Sequence, residues 1–152
     1  MLISLFDVSY KYLEDVSIAD VAFIAEGATL EKMFESAGLA VTNTMVKNLK
    51  AVKPKVRKTI KVKGGDIEKL LFNFLQEFVY WKDKDLLLFS EIKVKIKEPS
   101  KKQKSFSLSA LVSGEKINVK KHEMLVDVKA VTWHLFSVKK SKKWICQVVL
   151  DI

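Results

Sequence analysis

Ile92-Lys93-Val94-Lys95-Ile96-Lys97 alternates apolar and basic residues without a break. Successive side chains of a strand point to opposite faces, so Ile92, Val94 and Ile96 share a buried face and the lysines a wet one. A strand buried on one face belongs to an antiparallel sheet. The same alternation recurs in Ile60 and Val62 against Lys61 and Lys63. Phe106, Leu108 and Ala110 give a further strand, as do Val126 to Val138 and Trp144 to Ile152. Two stretches carry a helical period instead. Leu30, Met33, Phe34, Ala37, Val41 and Met45 follow an N-cap at Thr29. Ile67, Leu70, Leu71, Phe74 and Phe78 follow the Gly64-Gly65-Asp66 turn, with Asp66 as N-cap. The second helix also carries Phe72, Leu75 and Val79, so it is apolar over more than one face and is expected deep in the core. The reading is an α+β fold, one compact domain over residues 1–152, with largely antiparallel sheet and two main helices.

With 152 residues, 49% of them hydrophobic and 30% charged, the chain has the composition of a soluble globular protein. No apolar stretch reaches the roughly 20 residues of a membrane-spanning helix. The start, Met1 to Asp7, has no basic region before its apolar residues, so no secretory signal is expected. The lone Cys146 cannot form an internal disulfide, which suits a reducing cytoplasm. Between Ile145 and Gln147 it reads as a packed side chain. The net charge of +9 comes almost wholly from lysine, since Arg57 is the single arginine. Lysine is a solvated point charge and lacks the fork with which arginine grips phosphate. Lys97 to Lys104 reads as an exposed loop, and Lys139-Lys140-Ser141-Lys142-Lys143 as a hairpin turn. Neither cluster interleaves the aromatics of a base-stacking surface.

The sequence holds no phosphate-cradling glycine motif, no cysteine-histidine set of zinc-site spacing and no nucleophile elbow. An independent catalyst is not expected. The chain end is more informative. Val148 and Leu150 read as a strand running to the last residue, which places the Asp151 side chain close to the Ile152 carboxylate. Two hard oxygen anions there call for a neutralising cation or lysine.

That end, Ser17–Phe23 and Val128–His134 together resemble the archease family. So do Gly27-x-Thr29-Leu30-Glu31-x-x-Phe34-Glu35-x-Ala37, Leu70-Leu71-x-Asn73-Phe74-Leu75-x-Glu77 and His122-Glu123, in the family's order over nearly the whole chain. The resemblance implies a cytoplasmic, non-catalytic activator of an RtcB-type RNA ligase. Such a ligase joins 2′,3′-cyclic phosphate or 3′-phosphate ends to 5′-hydroxyl ends in tRNA splicing and RNA repair. The activator is implied to promote guanylylation of the ligase's active-site histidine and multiple turnover. It also implies a divalent cation, calcium before manganese or magnesium, on Asp20, Asp151 and the Ile152 carboxylate.

Lys129 is implied in ligase activation beside Asp20 and Asp151. Asp15, His122 and His134 are additional candidates, the histidines being read as structural before ligating. Where many family members have His-Thr-Ala-Asp, this chain has Ser17-Ile18-Ala19-Asp20, with Glu14-Asp15 adding acid nearby. The expected partner is the ligase, with RNA contacted indirectly or weakly and neither DNA nor membrane involved. The alternative is a basic RNA-binding or chaperone-like module acting through its lysine-rich loops.

Overall fold

The computed structural model describes residues 9–14 and 17–152; the apolar start Met1 to Asp7 and the candidate Asp15 lie outside them. Among the described residues, seven strands and two α-helices follow in the order β1 (Ser9–Leu13), β2 (Asp20–Gly27), α1 (Leu30–Met45), β3 (Val56–Gly64), α2 (Ile67–Asp85), β4 (Leu87–Lys97), β5 (Phe106–Lys116), β6 (Ala130–Lys140) and β7 (Trp144–Asp151). Both helices start where the sequence places them. The Thr29 side chain accepts the Lys32 N–H, and the Asp66 side chain accepts the Lys69 N–H. α2 runs beyond Val79 to Asp85 and ends at Leu86, which adopts a left-handed φ of 56°.

The strands form two antiparallel sheets, β1-β2-β7-β6 and β3-β5-β4. The helices lie between them. α1 packs on β2 and β1 on one side and on β4 on the other, while α2 bridges β3 and β6. That layering explains why α2 is apolar on more than one face: Leu71, Phe74, Leu75, Phe78 and Val79 must meet two sheets and a helix. Gly38 lets the layers close. A Cβ there would sit 2.7 Å from Ile92 Cδ1 and 2.8 Å from Phe78 Cζ, so those side chains would have to shift.

Each sheet has an edge strand that faces a helix, and in both a helix side chain takes up an edge amide. The buried Glu35 of α1 accepts the Val94 N–H of β4 at 2.9 Å, and Gln76 of α2 accepts the Val131 N–H of β6 at 3.0 Å. Edge amides bonded in this way cannot template pairing with another chain.

One correction concerns β6, which begins at Ala130 rather than Val126. Lys82, near the end of α2, draws the preceding segment out of the sheet: its ammonium donates to the Val128 carbonyl at 2.9 Å and pairs with Asp127 and Asp83. β6 is also irregular midway, where its register with β7 shifts between Thr132 and Ser137 and Leu135 takes φ 53°. Cys146 is fully buried, as read, and burial pushes its thiol up to about 12, so it is an inert thiol at neutral pH.

His122 belongs to a buried network centred on Glu115 of β5. Its Nδ1 accepts the Asn118 N–H at 3.0 Å, which leaves the ring proton on Nε2, 3.2 Å from Glu115 Oε2. Glu115 also accepts from the Lys121 ammonium and the Lys53 N–H, each at 2.6 Å. Burial alone would raise its pKa, but the Lys121, Lys53 and His122 hydrogen bonds together hold it down at about 2 against an ordinary 4.5. A carboxyl depressed on folding contributes stability above its unfolded pKa and loses it as pH falls toward the folded one. The stabilisation is therefore complete above about pH 4.5 and fades toward about pH 2. Calorimetric melting across that window should show a shallower decline for Glu115→Gln than for wild type; parallel curves would mean that the network does not stabilise the fold.

Candidate functional site at the ends of β2, β6 and β7

β2 and β7 pair over their whole length, from Gly27 opposite Trp144 to Asp20 opposite Asp151. Phe23 opposite Val148, and Val21 opposite Leu150, turn inward to the helices, so Asp20 and Asp151 lie together on the outer face at the sheet's end. Directly opposite side chains on adjacent strands have Cβ atoms about 4.5–5.5 Å apart, near enough for two carboxylates to repel.

The surrounding backbone is fixed. The Ile152 N–H donates to the Ala19 carbonyl at 2.9 Å, and the Ile152 side chain packs on the core. The Lys129 N–H donates to the Asp151 carbonyl at 2.8 Å, and Ala130 stands opposite Asp151 in β6. Ser17 organises the other side: its carbonyl accepts the Asp20 N–H at 3.1 Å, and its hydroxyl donates to Asp20 Oδ2 at 3.0 Å. Ile18, beside it, is 99% exposed.

Asp20 thus meets Asp151, Ile152 and the main chain of Lys129, all more than 100 residues further along the chain. The Lys129 side chain is exposed, and among the described residues its ammonium forms no ion pair with either aspartate. The two histidines do not join the group. His122 is held in the Glu115 network of the other sheet, and His134 is exposed in the irregular stretch of β6. Among the described residues no cluster of three or more His, Cys, Asp or Glu side chains converges. A cation here would rest on two aspartate side chains, with the remaining oxygens from the main chain and water. The donor chemistry fits a hard divalent ion, because every candidate ligand is an oxygen and, among the described residues, no ammonium pairs with either carboxylate.

The resemblance noted in the sequence is matched by direct comparison. The sequence profile of the Archease protein family matches residues 10–152. The chain belongs to the archease family. The protein archease of Pyrococcus furiosus is 37% identical over 136 residues, covering 88% of this chain and 93% of that one. That of Methanosarcina mazei is 34% identical over 144 residues, covering 94% and 95%. The solution structure of Methanobacterium thermoautotrophicum protein 1598 superposes with a TM-score of 0.79 at 32% identity, over 94% of this chain and 98% of that one. No described helix is long and apolar enough to cross a membrane.

Two residues outside the candidate ligand set steady this end of the sheet. The Ser17 hydroxyl fixes Asp20. Lys82 was legible in principle, because it falls four residues after Phe78 and three after Val79, on the apolar stripe of α2. Burial works against its charge, but hydrogen bonds to Asp127 and Asp83 more than compensate and raise its pKa. A lysine whose pKa rises on folding contributes stability that is fully present at neutral pH and is lost only as pH climbs through the folded value. Lys82→Met should leave the Val128 carbonyl unpaired and cost about 2 kcal/mol, a fall of about 4–8 °C in melting temperature. Amide hydrogen exchange at Lys129 should quicken more than at β2 residues. Unchanged exchange at Lys129 would show that Lys82 does not hold the segment entering β6.

Proposed function

We propose that this chain is a non-catalytic protein cofactor of an RtcB-type RNA ligase, and that Asp20 and Asp151 form the end it presents to the ligase. In this reading it promotes guanylylation of the ligase's active-site histidine and allows repeated turnover in joining 2′,3′-cyclic phosphate or 3′-phosphate RNA ends to 5′-hydroxyl ends. Family membership supports the role. The observation that carries the assignment of the site is the direct opposition of Asp20 and Asp151 at an open sheet end. A fold does not spend two facing, unneutralised carboxylates on its own stability, because the pair is repulsive unless a ligand or partner completes it.

The chain's own residues prepare that end. Ser17 orients one oxygen of Asp20, the Lys129 N–H fixes the Asp151 main chain, and Ile18 offers a fully exposed apolar contact beside them. A bound divalent cation, calcium or else manganese or magnesium, would neutralise the facing carboxylates, with the Ile152 carboxylate as the further anionic oxygen. The Lys129 ammonium is left to meet an anionic group of the ligase or its nucleotide.

A ligase turnover assay with and without this protein tests the role. Asp20→Asn and Asp151→Asn should each lower multiple-turnover stimulation at least tenfold while leaving the circular dichroism spectrum and melting temperature close to wild type. Wild-type stimulation by both variants would remove the acidic pair from the activating site. Residues appended after Ile152 would turn its carboxylate into a neutral amide and should weaken calcium binding by roughly tenfold in calorimetric titration. Undiminished affinity would exclude that carboxylate as a ligand.

A further inference from the structure

The outer face of the β3-β5-β4 sheet carries charge in an order that alternation within single strands does not require. The two edge strands place lysines on the same rungs. Lys61 of β3 and Lys95 of β4 flank Ser109 of β5, and Lys63 and Lys97 flank Ser107. The next rung sets Lys93 and Thr59 about Leu111. Ile60, Val94, Leu108 and Ala110 point the other way, into the core, and all four flanking lysines are exposed. Among the described residues, none of the four lysines is paired with a carboxylate.

A merely solvated sheet face gains stability by setting opposite charges on neighbouring strands. Here like charges share the two rungs at Ser109 and Ser107, separated by small hydroxyl residues, and acid appears only beyond Lys93, where Arg57 and Glu91 flank Ser113. Lysine on the edges alone would serve to deter aggregation, but that purpose does not call for matched rungs or a serine floor. The result is a lane along β5, about 10 Å between its lysine rows and with a repeat of about 6.7 Å from rung to rung.

We propose that this lane binds the phosphodiester backbone of a single nucleic-acid strand. Its linear repeat of positive charge matches a linear repeat of phosphates, and the serine hydroxyls on its floor can donate to phosphate oxygens. The lane offers no aromatic ring for stacking and no arginine among its four cations, so contact is to phosphates and is independent of base sequence. The site differs from the lysine-rich loops at 98–104 and 139–143, and it stands without the ligase reading, since it lies on the other sheet from Asp20 and Asp151.

The test is fluorescence anisotropy of labelled oligouridylate and oligothymidylate 12-mers, titrated with the full chain at 25–200 mM NaCl. Wild type should bind both to within about threefold, with a log–log salt slope near −3, from four phosphate contacts at about −0.7 each. Lys61→Gln, Lys63→Gln, Lys95→Gln and Lys97→Gln together should weaken binding at least tenfold at 50 mM and flatten the slope. The control removes four scattered exposed lysines, Lys50, Lys120, Lys139 and Lys142, also to Gln; it should stay within about twofold of wild type. Melting curves confirm that both variants fold. Absence of oligonucleotide binding, an equal loss in the control, a strong preference for one sugar type or displacement by an equimolar polyglutamate 12-mer would each overturn the proposal.

Discussion

The pairing of β2 with β7 is the constraint on which the rest of the molecule hangs. It joins residues 20–27 to residues 144–151 along eight antiparallel rungs at the centre of the four-stranded sheet. Its inward residues, Phe23, Ala25, Cys146, Val148 and Leu150, are fully buried against the helix layer. Because side chains alternate every residue, a slip of one would turn all of these to solvent and drive the aspartates into the core. The apolar register that stabilises the sheet is therefore the same register that holds Asp20 opposite Asp151. A slip of register would therefore lose stability and the candidate site together, whereas a change of either outward aspartate side chain leaves the register intact.

Around that pair, polar groups do the work of fixing segments that hydrophobic packing leaves undetermined. Glu35 and Gln76 close the sheet edges, Glu115 gathers the 53–55 and 118–122 segments onto β5, and Lys82 sets the point at which β6 may begin. Glu35, Glu115 and Lys82 are buried groups satisfied by more than one partner, and losing one partner costs more than the hydrogen bond itself is worth. The aromatic contacts are of a different kind. Phe74, Phe78 and Phe89 meet edge to face in the core, while Phe72 stacks on Trp133 with ring centroids 4.1 Å apart at the rim, where β6 loses its register. The stack keeps the irregular part of β6 against α2.

Alternation and helical period were enough to read both helices, their caps and most strands, because each of those signals is local. Asp20 and Asp151 could be named from the family resemblance, and the register then set them side by side. What sequence did not reveal is non-local. The division into two sheets depends on which strand pairs with which over long separations. The late start of β6 depends on a lysine 46 residues away along the chain. Ser17 drew notice only as a departure from the family, and its hydroxyl bond to Asp20 needs the turn to be seen. The lysines of β3 and β4 were legible as solvent-facing, but their coincidence on shared rungs emerges only when β5 sits between them.

Whether Asp20 and Asp151 act as one site is measured most directly by a double-mutant cycle in calcium affinity. Calorimetric titration of wild type, Asp20→Asn, Asp151→Asn and the double variant gives the coupling between them. If the facing carboxylates hold one cation together, each single substitution abolishes most of the affinity and the double loses little more, a strong non-additivity. Losses that simply add, or single variants that bind as wild type does, would contradict a shared site at the end of the β2–β7 pair.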